Sequence, residues 1–343
     1  MPKISDVARL AGVSPATVSR VLNHPDMVTQ DKRDQVLAAM RELEYRPNAV
    51  ARNLRRGHFD TLALLVGDVS QPFHARLAKA VESAAEEHGY NVVLCDLDHR
   101  QDRLIRFLET LPSRAVDGAI IATADTLDVD PVREAIAAAL DQGFVVVSAA
   151  LPLPGLDVPA VVTDHQLAAD QATQHLLAQD RWPLVFLGGS RTSAISRLLR
   201  SGFQAACRRA GRQPDRRWII SGNFRHDKAH LALGELLDRG PEIRGVVAAN
   251  TPIALGAMRA LSEHGLSIPR DVGIVSCEDV PLADYLRPAL TSISIDLDDL
   301  GRRTVDTLTT AVAGRTVPHL THLPHRLVIR DSSVNPAETT ERS

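Results

Sequence analysis

Several things are scarce or missing in this chain of 343 residues. It has only three cysteines, Cys95, Cys207 and Cys277, far apart and odd in number. That rules out a disulfide framework and gives no metal-ligand spacing, so they read as reduced core thiols. No apolar run approaches the roughly 18 residues of a membrane span. The opening Met-Pro-Lys-Ile-Ser-Asp lacks the apolar core of a signal peptide. A cytoplasmic protein with no membrane association is expected. Enzyme signatures are equally thin. Gly188-Gly189-Ser190 has neither the G-x-G-x-x-G nor the P-loop spacing. No Ser/His/Asp or Cys/His constellation is evident. The tightest histidine cluster, His319, His322 and His325, falls in a Thr/Pro-rich connection that reads as neither helix nor strand. No enzymatic activity, cofactor or metal is therefore expected.

What is present is a globular composition, 44% hydrophobic and 24% charged, in a chain long enough for two or three domains. The net charge of −3 is unevenly spread. Residues 1–57 hold ten Lys/Arg against six Asp/Glu, a net +4, and the remainder carries −7. A small basic head on an acidic body suits attraction to phosphate at one end.

The first two dozen residues organise the chain. Ile4, Val7, Ala8 and Ala11 fall at i, i+3, i+4 and i+7, one apolar stripe of a helix. Gly12 suits a left-handed helix end. Ser14 has N-cap chemistry, and Pro15 sits at the first helical position, where its missing N–H costs nothing. Val18, Val21 and Leu22 give a second helix one apolar side. Left outward are Pro15, Ala16, Thr17, Ser19, Arg20 and Asn23, small or polar, with one arginine able to fork onto a guanine edge. This is the pattern of a helix-turn-helix, whose second helix enters the major groove. An ordinary surface hairpin of helices is the alternative on these residues alone. Thr29 can cap a third helix over roughly 30–44, with Val36, Leu37, Met40 and Leu43 as its apolar face.

Between Tyr45 and Gly57 lies a segment with a good N-cap at Asn48 and a good stop at Gly57. Its eight intervening residues are too few for a helix stable by itself. A polar linker is the simple reading. From residue 61 apolar strands and helices alternate. Near-continuous Val/Ile/Leu runs at 61–67, 91–95, 117–123, 144–148, 160–163, 184–187, 218–221, 245–249 and 273–276 read as strands buried on both faces. Helices at about 74–88, 165–178, 193–210, 227–238 and 252–264 fill the gaps, so the fold class is doubly wound α/β. The strands form two groups, 61–150 and 160–280, which suggests two similar lobes.

The N-terminal string closely resembles the DNA-binding module of the lactose-repressor/galactose-repressor (LacI/GalR) family of bacterial transcription regulators. The matching residues are Ile4-Ser5-Asp6-Val7-Ala8, Ala11-Gly12-Val13-Ser14 and Thr17-Val18-Ser19-Arg20-Val21-Leu22-Asn23. Further matches are Asp117-Gly118, Gly188-Gly189-Ser190, Gly202-Phe203, Pro269-Arg-Asp-Val272, Pro288-Ala-Leu-Thr291 and Leu300-Gly301, so the resemblance covers about 3–330. It implies a three-helix head, a hinge helix and a two-lobed core like that of periplasmic binding proteins. The layout expected is a helix-turn-helix domain at 1–46, a hinge at 47–58, an effector-binding and dimerisation core at 59–331 and a disordered tail at 332–343. Lobe 1 would take about 59–159 plus 291–319, and lobe 2 about 160–290 plus 320–331.

The resemblance also implies a role for the linker. In the family it folds into a short helix on DNA, and paired hinges press a leucine into the minor groove. Leu54 matches that leucine, with Val50 and Ala51 packing hinge against hinge. An apolar wedge of this kind unstacks a base step and bends the duplex. The residues carried over as DNA contacts are Ile4, Ser5, Ser14, Pro15, Ala16, Thr17, Ser19, Arg20, Asn23, Thr29, Asn48, Ala51 and Leu54. The implied partners are double-stranded DNA with a palindromic operator, a second copy of the chain as homodimer, and a small-molecule effector such as a sugar, sugar phosphate or nucleoside-like compound. The implied function is transcriptional repression controlled by that effector. A transporter's solute-binding protein would share the core, but it would have a signal peptide and no basic head.

Ligands of open α/β sheets bind beyond the carboxyl ends of the strands. Candidate effector contacts are therefore Gln71, Phe73, Thr123, Ser148, Asp164, Arg197, Phe224, Asn250 and Glu278. Phe73 could stack on a ring or pack a lobe. Asp164 could accept hydroxyl donors or cap the following helix. Arg197 could hold an anion or lie in solvent. Many sugar-binding members have an acidic residue where Ser148 stands, Asn-Asp where Asn250-Thr251 stands, and an arginine where Leu199 stands. Several polar clamps of those members are thus absent or moved here.

Overall fold

A computed structural model describes residues 2–23, 25–45 and 58–334. The chain forms two compact units, Met1–Phe59 and Asp60–Ser343.

Among its described residues the first unit holds three α-helices, α1 (Ile4–Leu10), α2 (Pro15–Asn23) and α3 (Gln30–Glu42). The Lys3 N–H donates to the Asp6 carboxylate at 2.8 Å, closing the first turn of α1. Gly12 takes φ +65°, as the tight turn into α2 requires. The Ser14 hydroxyl then accepts from the Thr17 N–H at 3.1 Å, the cap expected of it. Val7, Ala8, Val18, Val21, Val36 and Ala39 form the mini-core. Two expectations for α3 need correcting. Leu37 is 40% exposed, and Ala39 takes its place inward. Thr29 stands at the N-cap with extended backbone, but its hydroxyl makes no capping bond.

The second unit contains two six-stranded sheets. Sheet one uses β1 (Thr61–Val66), β2 (Asn91–Asp96), β3 (Gly118–Ala122), β4 (Val145–Ser148), β5 (Ala160–Thr163) and β11 (Leu320–Leu323), in the order β11-β5-β4-β3-β1-β2. Sheet two uses β6 (Leu184–Gly188), β7 (Ile219–Ser221), β8 (Gly245–Ala248), β9 (Gly273–Ser276), β10 (Thr291–Ile295) and β12 (His325–Val328), in the order β12-β10-β9-β8-β6-β7. Every pairing is parallel except β10 with β12. β1, β3, β4, β8 and β9 are buried almost throughout, as strands covered by helices on both faces must be.

The helices of this unit are α4 (Pro72–Glu87), α5 (Gln101–Thr110), α6 (Asp130–Asp141), α7 (His165–Ala178), α8 (Ala194–Arg209), α9 (His226–Leu237), α10 (Thr251–Glu263) and α11 (Leu297–Val312). Among the described residues no helix is long and apolar enough to cross a membrane.

The pairings correct the lobe boundaries. Strand 160–163 pairs with β4 and β11, so it completes the first lobe rather than opening the second. Strand 291–295 pairs with β9 and β12, so it belongs to the second lobe. α11 then returns to the first lobe, packing on β3, β4 and α4. The chain thus passes between lobes at Asp164, at Asp296 and at Pro324. At the first two passages the aspartate caps the next helix. Asp164 accepts from the Leu167 N–H at 2.8 Å and Asp296 from the Asp299 N–H at 2.9 Å.

The tail boundary also moves. Ser332 and Ser333 are fully buried. The Ser332 hydroxyl donates to the Ile274 carbonyl and accepts from the Thr291 N–H. These residues are part of sheet two's packing, and a disordered segment from 332 is ruled out at its first residues. Likewise His322 lies on β11 and His325 opens β12, so the histidine-containing connection is strand after all. Among the described residues no cluster of metal-binding side chains forms. All three cysteines are buried and free.

Candidate functional site

On the head, Pro15, Ala16 and Arg20, which the periodicity left outward, face away from the mini-core. Ser5, Ser14, Pro15, Ala16 and Arg20 are exposed, while Ile4, Thr17 and Ser19 are partly covered. Ser14 and Thr17 also share a hydroxyl–hydroxyl bond of 2.9 Å, which fixes both rotamers at the start of α2. The Arg20 guanidinium has no ion pair among the described residues, so its five donors are available to a partner. Thr29 is exposed at the start of α3. Asn23 ends α2. Asn48, Ala51 and Leu54 lie outside the described residues.

In the core, a cavity with about 760 Å³ of atom-free space, its open mouth included, lies between the lobes. Its first-lobe wall follows the carboxyl ends of β1, β3, β4 and β5, with Gln71, Phe73, His74, Thr123, Ala149, Ala150 and Thr163. Its second-lobe wall has His165, Ile195, Leu199, Phe224, Asn250, Cys277 and Glu278. Ile295 and Leu300, on either side of the Asp296 crossing, close the back.

The structure thus brings together Gln71, Phe73, Thr123, Phe224, Asn250 and Glu278, as expected from the strand ends. Three candidates fall elsewhere. Ser148 is fully buried and donates to the Leu151 carbonyl at 2.7 Å, so its hydroxyl serves the turn after β4. Asp164 acts as the helix cap already described and does not line the cavity. Arg197 is exposed, bonds the Thr192 carbonyl at 3.0 Å and lines a neighbouring groove with Asp125, Asp128 and Arg200. Phe73 lines the cavity while packing on the first lobe's core.

Sequence reasoning missed His74, His165, Ile195, Leu199 and Leu300. His74 and His165 directly follow chosen positions, so the strand-end rule could have reached them. Leu300 arrives through the Asp296 crossing, which no periodicity reveals.

One wall depends on a glycine. A Cβ on Gly189 would lie 2.1 Å from the Phe224 ring, so the ring sits directly on that backbone. Phe224 itself has φ +57°, an uncommon conformation for a bulky side chain. Its carbonyl accepts from the Asn250 amide at 3.4 Å, and Asn250's oxygen caps α10 through the Ile253 N–H at 3.0 Å. The Gly-Gly-Ser triplet therefore seats an aromatic ring, not a phosphate.

Beside the cavity runs a polar chain. Gln71 contacts His99 at 3.2 Å, His99 contacts Asp125 at 3.0 Å, and the Thr123 hydroxyl donates to Asp125 at 2.7 Å. The Asp125 hydrogen bond raises the His99 pKa above its usual value. Burial pushes Asp125 up, but its bonds to His99 and Thr123 outweigh this and leave it lowered. Burial lowers His74 and takes His165 down to about 4. It pushes Glu278 up to about 7, reinforced by the charge of Asp279 and opposed by the Thr251 N–H. A carboxyl facing an apolar hollow behaves this way because its charged form is poorly solvated.

Comparison with known proteins matches both units. Residues 3–48 match the family model described as "Bacterial regulatory proteins, lacI family". Residues 59–331 match "Periplasmic binding proteins and sugar binding domain of LacI family". The ribose operon repressor of Escherichia coli K12 is 32% identical over 308 residues, 90% of this chain and 92% of that protein. Catabolite control protein A of Priestia megaterium is 30% identical over 339 residues, 96% and 98% of the two chains. The lac repressor dimer bound to operator and the anti-inducer ONPF superimposes with a TM-score of 0.84 at 27% identity, covering 97% of this chain and 99% of that one. With a helix-turn-helix head on one unit and a two-lobed cleft in the other, the chain belongs to the LacI family of bacterial regulatory proteins and is a DNA-binding transcription regulator, not an enzyme.

Proposed function

We propose that the chain works as a homodimeric repressor whose affinity for a palindromic operator is set by a small molecule held between its two lobes. The observation that carries this reading is the cavity itself. Its walls come from both lobes, so a ligand filling it changes how the lobes close. Closure that also moves the hinges couples ligand to operator, reciprocally and typically by about 1–3 kcal/mol.

Dimerisation fits the surface. Val93 and Leu94 on the edge strand β2 are 45% and 43% exposed, and Leu282 and Tyr285 are 48% and 78% exposed. Exposed apolar side chains on an edge strand and on the 3-10 turn at Pro281–Tyr285 suit an association surface. Two heads on one two-fold axis double the contacts with a symmetric site. Pro15, Ala16 and Arg20 are the base readers in this proposal, and Leu54 is the minor-groove wedge.

The test is a gel shift of the full chain on the DNA upstream of its own coding sequence. It is repeated with a panel of sugars, sugar phosphates and nucleosides. Retardation of that fragment over bulk DNA, altered by one member of the panel, is the expected result. Equal affinity for all DNA would overturn the proposal.

A further inference from the structure

Among the described residues the lining of the cavity contains neither lysine nor arginine. Its one acid is Glu278, and its imidazoles, His74 and His165, are both driven toward the neutral form by burial. A phosphate or carboxylate entering here would shed its water without meeting a cation, which is a prohibitive exchange. Arg197 and Arg200 line a neighbouring groove that also holds two aspartates.

Two of the remaining polar side chains, Asn250 and Thr123, are engaged within the protein. The Asn250 oxygen caps α10 at 3.0 Å, and its amide reaches the Phe224 carbonyl at 3.4 Å. The Thr123 hydroxyl is spent on Asp125. Alanine, isoleucine and leucine make up nine of the nineteen lining residues, so much of the wall has no partner for the hydroxyls of a hexose. By contrast, each lobe contributes a phenyl ring, Phe73 and Phe224, to the same hollow. Glu278 offers a carboxyl there whose only hydrogen bond among the described residues is a long one, 3.4 Å from the Thr251 N–H.

We infer that the ligand of this cavity is a flat, non-phosphorylated nitrogen heterocycle, a nucleobase or its nucleoside, that brings an N–H donor to Glu278. Such a molecule has two apolar faces for aromatic side chains and only a few polar atoms in its plane. It offers an in-plane N–H to the Glu278 carboxyl, whose one hydrogen bond among the described residues is the long one from Thr251. This rests on the cleft being the effector site proposed above.

The test is calorimetric titration of the full chain with matched series: free bases, nucleosides, nucleoside 5′-monophosphates, free pentoses and hexoses, and their phosphates. At least one base or nucleoside is expected to bind, and its monophosphate to bind at least tenfold more weakly. Glu278→Gln should weaken the base at least tenfold and abolish the pH dependence of its affinity. Phe224→Ala should abolish binding, locating the ligand in the cavity should the Glu278 variant fail to fold. A sugar or phosphate ester that binds more tightly than every base, and loses affinity in Phe224→Ala, would overturn this inference and leave the cleft as effector site. Binding of no compound to the cavity, with operator affinity unmoved by any, would overturn both.

Discussion

Ser193 in the second lobe donates its hydroxyl to the backbone carbonyl of Ala124 in the first, at 2.5 Å. The same oxygen accepts from the Ser196 N–H at 3.1 Å, capping α8. One fully buried side chain therefore starts a helix and ties the lobes together at the cavity's edge. Ser193→Ala removes both bonds and leaves the Ala124 carbonyl without its partner. Loss of the cap and of a buried bond should lower stability by about 1–2 kcal/mol. The domain should also become less compact in small-angle scattering, and the effector should bind roughly fivefold more weakly, about 1 kcal/mol of the closed form's advantage. Unchanged scattering and unchanged affinity would show that this bond does not hold the lobes.

Gly189 and Gly202 separate two kinds of glycine. A Cβ on Gly189 would strike the tip of the Phe224 ring, a side chain able to swing away into the cavity. A Cβ on Gly202 would lie 2.0 Å from the Gln166 carbonyl, where α7 and α8 meet backbone to backbone. Gly189→Ala should cost about 1–3 kcal/mol, the usual range for overpacking, while abolishing ligand binding. Gly202→Ala should cost more, over about 3 kcal/mol, because no side chain can yield. Urea denaturation of the two variants reads the order directly, and the reverse order would contradict the packing described.

Arg20 separates reading from folding. Its side chain is exposed on α2, while the mini-core beneath uses Val18 and Val21. Arg20→Ala should leave head stability within about 0.5 kcal/mol, as for other surface changes. Specific operator binding should fall by about 1–3 kcal/mol, the discrimination of one good arginine–base contact. Binding to bulk DNA should change far less. Leu54→Ala should also weaken operator binding, by removing the wedge, and leave the head folded. Equal losses on operator and bulk DNA for Arg20→Ala would make it a phosphate contact instead.

The head was legible because its signals are local. Gly12, Ser14 and Pro15 each dictate a backbone conformation within one turn, and the 3.6-residue stripe selects Val7, Ala8 and Val18. Leu37 misled because three helices offer room for only part of an apolar face, and the smaller Ala39 fits closer. The strands of the core were legible as apolar runs, but their allocation was not. Whether 160–163 pairs with β4 or opens a new sheet depends on contacts across long sequence separations. So does the return of the chain at Asp296. In the cleft, position was predictable from strand ends, and side-chain duty was not. Ser148 and Asp164 stand at the right places, yet each has a nearby backbone group that claims it first, the Leu151 carbonyl and the Leu167 N–H.

Glu278 makes the core's stability depend on pH in a direction opposite to most acids. Its folded pKa of about 7 lies above the ordinary 4.5. The folded state therefore holds the proton more tightly than the unfolded chain does. Below pH 4.5 both states are protonated and nothing is lost. Between about 4.5 and 7 the unfolded carboxyl ionises first, so stability falls as pH rises, by roughly 2–3 kcal/mol over that window. His165, lowered to about 4 from 6.5, works the other way, losing stability as pH falls from 6.5 toward 4. Glu278→Gln removes the first slope only. The variant should be more stable than the parent at pH 8 and close to it at pH 4.5, a difference of roughly 2 kcal/mol in urea denaturation. A variant less stable than the parent at pH 8 would mean that the ionised Glu278 has a partner worth more than its desolvation costs.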